Sequence, residues 1–245
     1  MIKVSGISKS YNNDSVKAVD DLTFTIEDGE IVGIIGPNGS GKTTTIKMMT
    51  GIIKPDSGSV KIGDYDMVKD ALKAKHNIGY MPDSPDMFLR LKGIEYINFV
   101  ADIYDTDKAE RDERIIKYSK LFGIDDVLDS KMISYSHGMR QKLMVVAALV
   151  HNPSVWILDE PLTGLDPESA FELKKLMKEH AAAGNSVMFS THVLEVAEKL
   201  CDRVIIILKG KKLFDGTLEE LKADNPDKQL EEIFLEMTGY LGESE

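Results

Sequence analysis

The chain has little cysteine, little tryptophan and no long apolar run. Of its 245 residues one is cysteine, Cys201, and one is tryptophan. A lone cysteine excludes an internal disulfide and fits a reducing compartment, so Cys201 is expected to be a small buried apolar residue. The longest strongly apolar runs, VIIIL at 204–208 and VVAALV at 145–150, fall far short of the roughly 18 residues needed to cross a bilayer. The first residues, MIKVSGISKSY, lack the apolar core of a signal peptide. The expectation is a chain that stays in the cytoplasm. Positive charge is also scarce. Thirty Lys and Arg against 41 Asp and Glu leave a net charge of -11, which argues against binding nucleic acid by general electrostatic attraction.

What is present is ordinary globular material. A 42% hydrophobic content in a chain of this length suits one large α/β domain, or a core carrying a small subdomain. The first third reads as β-rich, with IKVSGI, LTFTI and GSVKIGD separated by Gly, Asn and Asp. EIVGIIG at 30–36 is a continuous apolar run ending in glycine, as expected of a strand buried on both faces. From about 93 to 150 the apolar positions take helical spacing (Ile94, Ile97, Val100, then Ile115, Ile116, Leu121), which reads as a helical insertion. VWILDE, VMFSTH and VIIILK then alternate with helical segments, implying a parallel sheet with crossovers. The tail from about 217 reads as two short helices separated by NPD.

Residues 36–43, GPNGSGKT, match the pattern G-x-x-x-x-G-K-[ST], with a buried strand before it and helix potential after it. Gly36, Gly39 and Gly41 let successive backbone N–H groups surround an anion, and the helix beginning near Gly41 adds the positive end of its dipole. Lys42 can reach the outer phosphates, and the Thr43 hydroxyl can ligate a bridging Mg²⁺. This reads as a nucleoside triphosphate site. VWILDEP supplies its complement: Asp159 at a strand end can hold the Mg²⁺ shell, and Glu160 can act as general base for an attacking water. His192, at the end of VMFSTH, sits where strand ends face the ligand crevice, and can hold the γ-phosphate and the water in line.

Taken in order, Tyr11, GPNGSGKT, YMPDSP, SYSHGMRQK, VWILDEPLTGLDP and FSTH resemble the nucleotide-binding subunit of an ATP-binding cassette (ABC) transporter over nearly the whole chain. The resemblance implies a P-loop NTPase (RecA-like) core with a mixed, largely parallel sheet, an N-terminal antiparallel β-subdomain and an inserted α-helical subdomain. The expected boundaries are 1–84 and 151–216 for the core, 85–150 for the helical part and 217–245 for the tail. It also implies a head-to-tail dimer sandwiching two ATP molecules. Tyr11 would stack on adenine, and Gly36, Pro37, Asn38, Gly39, Ser40, Gly41, Lys42, Thr43 and Thr44 would hold the phosphates. Asp159 would anchor Mg²⁺, Glu160 would polarise water and His192 would be the switch histidine. Ser136 and Gly138 would cap the γ-phosphate of the opposite subunit's ATP, and Leu165 and Asp166 would communicate across the dimer.

Two positions depart from the family pattern. The signature, usually Leu-Ser-Gly-Gly-Gln, is here Tyr135-Ser136-His137-Gly138-Met139, and Asp83 stands where a glutamine normally contacts Mg²⁺ and water. Aspartate there is expected to keep the sensing role as a metal ligand, directly or through water. Both departures look similar to exporter-type subunits. The function expected is an ATPase that drives export through a separately encoded membrane-spanning permease, with a second ABC subunit, identical or not, as its partner. Its place is peripheral on the inner face of the cell membrane. Met87, Phe88, Leu89 and Leu91, with the helical insertion, are the candidate docking surface, internal core being the alternative reading of the same apolar residues. The alternative is a soluble ABC-superfamily ATPase not coupled to transport.

Overall fold

The computed structural model describes residues 1–11, 17–84, 88–223, 228 and 230–239. Two sheets organise them. Strands β1 (Ile2–Ser10), β2 (Lys17–Ile26), β4 (Ser57–Ile62) and β5 (Tyr65–Asp66) form an antiparallel sheet in the order β2-β1-β4-β5. Along β2 the buried Leu22, Phe24 and Ile26 keep the period-two pattern of a sheet with one side on a core, and Val19 is buried beyond a register shift in the pairing with β1.

The second sheet runs β10-β9-β3-β8-β7-β6, built from β3 (Ile31–Ile35), β6 (Ile78–Met81), β7 (Val155–Leu158), β8 (Ser186–Thr191), β9 (Arg203–Leu208) and β10 (Lys211–Gly216). Its pairings are parallel except β9 with β10. All five residues of β3 are buried, as expected of a central strand covered on both faces. The sequence reading did not single out IGYM at 78–81 as a strand. Parallel pairing with β7 makes it the sheet edge from which the Asp83 loop departs.

The helices are α1 (Lys42–Met49), α2 (Ala71–His76), α3 (Gly93–Ile103), α4 (Lys108–Leu121), α5 (His137–Leu149), α6 (Pro167–Ala182), α7 (Leu194–Leu200), α8 (Leu218–Ala223) and α9 (Leu230–Met237). Their starts follow local chemistry. Asp107, Ser136 and Asp166 cap α4, α5 and α6 by accepting first-turn N–H bonds, and Pro167 occupies the first position of α6. α3, α4 and α5 make up the helical insertion. One apolar cluster runs through it into the sheet, joining Ile97, Ile115 and Met144 to Trp156, Leu158 and Phe189. α5 is almost wholly buried from Leu143 onward, which fastens the loop at its N-terminus to the sheet. Cys201 is largely buried, and burial pushes its thiol up to about 12, in keeping with an unreactive packing role. Among the described residues no helix is long and apolar enough to cross a membrane.

Candidate functional site

The site forms where β3, β7 and β8 end. β3 delivers the chain into residues 36–41, whose turn tolerates no side chain at two points. A Cβ at Gly36 would stand 2.3 Å from the Ile207 carbonyl, and one at Gly41 (φ 110°) would stand 2.5 Å from the Ala18 carbonyl. α1 starts at Lys42 with no side-chain cap, which leaves its first N–H groups directed at the cavity mouth. A cavity of about 340 Å³ opens there. It is lined by Ala18, Thr44, Asp83, Glu160 and the loop from Asn38 to Thr43.

Lys42 is 6% exposed. Its ammonium donates to the carbonyls of Gly36 (2.8 Å) and Pro37 (3.4 Å) and lies 3.6 Å from Glu160 Oε1. The Ser40 hydroxyl is buried without a protein partner. A buried cation beside open N–H donors is an arrangement for polyphosphate, since each oxygen brought in meets a donor or a charge.

Asp159 follows β7 and is 1% exposed. Its Oδ1 accepts from Ser190 Oγ at 2.6 Å and from Thr43 Oγ1 at 3.4 Å, while Oδ2 is buried with no protein partner. Burial pushes the carboxyl above its ordinary range, against the two hydroxyl bonds. The donor set fits Mg²⁺: one carboxylate with a spare oxygen and one hydroxyl, leaving the other ligands to phosphate and water. Among the described residues no cluster of three or more His, Cys, Asp or Glu could hold a metal by itself.

Glu160 occupies a left-handed backbone conformation, φ 49°, uncommon for a residue with a side chain and typical of functional sites. Its N–H donates to Ser190 Oγ at 2.9 Å, so one buried hydroxyl fixes both acidic residues. Its carboxylate lies between Lys42 and His192, whose Nδ1 is 3.0 Å from Oε2. Half-exposed His192 thus touches the carboxylate expected to act as base.

The structure therefore brings Lys42, Thr43, Asp83, Asp159, Glu160 and His192 to one end of the sheet. Tyr11 is exposed at the end of β1 and does not line the cavity, whereas Ala18 on β2 does. Ser136 caps α5, its Oγ accepting from Met139 N at 3.2 Å. Neither Ser136 nor Gly138 lines the cavity.

Two supporting residues escaped the sequence reading. Ser190 had a signal, a hydroxyl in the apolar strand VMFST. Gln141 had one too, a polar residue on an otherwise apolar helix face; it is fully buried and donates to the Asp83 carbonyl at 3.3 Å. Beside the Asp83 loop, exposed Phe88 packs its ring against Tyr96 and Phe99, at 5.8 and 5.7 Å. Leu89 is partly buried on the core, and Met87 lies outside the described residues.

A P-loop, a strand-end Asp-Glu pair and a histidine on the neighbouring strand define an ATP-hydrolysing P-loop protein. The ABC transporter family matches over residues 19–163. ABC transporter ATP-binding protein NatA of Bacillus subtilis is 33% identical over 96% of this chain and 97% of its own. A solved ATP-binding subunit of an ABC transporter superposes with a TM-score of 0.92 at 32% identity, covering 97% of this chain and 99% of that one. A dimeric structure of a bacterial ABC transporter cassette, 25% identical, gives 0.80 over 89% of this chain and 99% of that one. The chain belongs to the ABC transporter ATP-binding family and is an ATPase subunit of that kind.

Proposed function

We propose that the chain powers export through a separately encoded membrane permease, by closing on ATP as a two-fold dimer and opening after hydrolysis. The observation that carries this reading is the split site. Ser136 and Gly138, expected to cap a γ-phosphate, are absent from the cavity that holds Lys42 and Glu160. A second subunit supplies them in a head-to-tail pair, an arrangement supported by the dimeric relative. The same surfaces then serve both sites, as two-fold symmetry requires.

Within one site, residues 36–44, Lys42 among them, bind the phosphates, and Tyr11 stacks on the adenine. Thr43, Asp159 and Asp83 are the residues that would hold Mg²⁺, which when bound neutralises phosphate charge. Glu160 takes a proton from the attacking water, while His192, hydrogen-bonded to it, orients that carboxylate. Loss of the γ-phosphate removes the group bridging the two subunits, and the dimer opens.

The exposed Phe88, Phe99 and Ile103, at 47%, 45% and 57%, form an apolar face beside the Asp83 loop that suits the permease. The chain then lies on the cytoplasmic face of the membrane. Export as the direction is supported by the resemblance of the SHGM signature and Asp83 to exporter-type subunits.

Glu160→Gln provides the test. Loss of the general base should lower kcat about 10²-fold or more while ATP still binds, so the variant should run as an ATP-dependent dimer in size-exclusion chromatography. A variant that hydrolyses ATP at the wild-type rate would show the base assignment to be wrong. One that stays monomeric at saturating ATP would do the same for the sandwich.

A further inference from the structure

His137, the residue that departs most from the signature pattern, has a counterpart in the same subunit. It opens α5 immediately after the Ser136 cap, and its imidazole lies over Gly164 in the TGLDP loop. A Cβ at Gly164 would stand 2.6 Å from His137 Cδ2 and 3.0 Å from Nε2. A Cβ at Gly138 would in turn stand 2.9 Å from the Gly164 carbonyl. The first turn of α5 and the loop are thus in contact at two glycines, with the exposed His137 ring lying over Gly164.

One turn beyond Gly138 on the same helix face, Lys142 donates to Asp166 Oδ2 at 2.8 Å. Asp166 also caps α6, accepting from Ser169 N and Ser169 Oγ, each at 2.8 Å. At its other end the loop begins on the site, where Thr163 N donates to the Glu160 carbonyl at 3.2 Å. Glu160, in its left-handed conformation, is therefore the first residue of a turn whose far side rests on His137.

We propose that His137 is a positioning residue for Glu160 of its own subunit, and that His137 and Gly164 form a size-matched pair through which the signature loop sets the turn carrying the base. The inference rests on the sandwich reading for one part only. Ser136 and Gly138 meet the partner's ATP, so the contact gives occupancy of one site a path to the base of the other. Glycine at 164 is favoured by its positive φ of 79°, and a Cβ there would make the His137 ring move aside. The ring in turn has a role that the glycine usual at its position in the family signature could not fill.

The test is a double-mutant cycle on the full-length protein, with kcat and KM for ATP measured for wild type, His137→Ala, Gly164→Ala and the double variant. His137→Ala should lower kcat about 5-fold with KM within about twofold, because the phosphate loop and the Ser136 and Gly138 groups that meet ATP are all retained. Gly164→Ala should lower kcat about 30-fold, and the double variant should return to within about threefold of His137→Ala, a coupling of the size expected for residues in contact. Equal unfolding midpoints for His137→Ala and wild type separate positioning from a fold defect. A double variant as impaired as the product of the two single losses overturns the pairing, as does a wild-type kcat for His137→Ala. Failure of the sandwich shows separately, as a Glu160→Gln protein that does not dimerise on ATP, and leaves the cycle to judge the pair.

Discussion

Replacing Ser190 with alanine removes one hydroxyl that makes two buried bonds, and the consequence can be worked from the geometry. The bond to Asp159 Oδ1 is 2.6 Å long and fully buried. Such charge-assisted bonds contribute about 1.5–3 kcal/mol. The bond from Glu160 N is 2.9 Å, and leaving that donor unmade costs about 1–3 kcal/mol. Since the same atom serves both, the losses overlap, and we expect about 3 kcal/mol off the unfolding free energy. The effect on catalysis should be sharper. The strained φ at Glu160 persists only while its surroundings hold it. A shift of Glu160, the proposed base, by about 1 Å costs on the order of 10²-fold in rate, so kcat should fall about 10- to 100-fold. KM for ATP should change little, because the phosphate loop is untouched. Ser190→Thr keeps the hydroxyl on a strand that favours β-branched residues and should retain most of the activity. Urea unfolding read by Trp156 fluorescence, with steady-state phosphate release, makes the comparison. A Ser190→Ala protein with the wild-type urea midpoint and kcat would refute the idea that this hydroxyl fixes the acidic pair.

Two further outcomes are expected. Asp83→Ala should lower both ATPase activity and its stimulation by membrane partners; both unchanged would exclude a sensing role for Asp83. His151 stacks on Tyr104 at a centroid distance of 3.6 Å, and its Nε2 lies 3.2 Å from the Ile78 carbonyl. Burial lowers its pKa from 6.5 to about 4. The unfolded chain therefore takes up a proton that the fold refuses. Stability from this residue is present above pH 6.5 and is lost as pH falls toward 4, by up to about 3 kcal/mol. His151→Phe should flatten that part of the stability profile, measured by urea midpoints between pH 7 and pH 4; an unchanged slope would contradict the assignment.

How much of this was legible beforehand depends on how local the chemistry is. The phosphate loop was readable because a short run of backbone makes it, so Gly36, Gly41 and Lys42 carry their own geometry wherever the strand ends. Asp159, Glu160 and His192 were readable because each ends an apolar strand, and parallel strands bring such ends together. Tyr11 illustrates the converse. Its expected place over the adenine rests on the family resemblance, and Tyr11 does not line the cavity.

The sequence by itself determined the reaction class, the residues expected to meet phosphate and the absence of any apolar run able to span a bilayer, since all three follow from short stretches of contiguous residues. Only the tertiary structure decided how those residues are held. Ser190 reaches Asp159 from 31 positions away and Gln141 reaches the Asp83 loop from 58. His137 finds Gly164 only because α5 is packed beside the turn that Glu160 begins. The physical reason is that a buried polar group must find its partner across the fold, and neither spacing nor composition records which distant backbone will stand there.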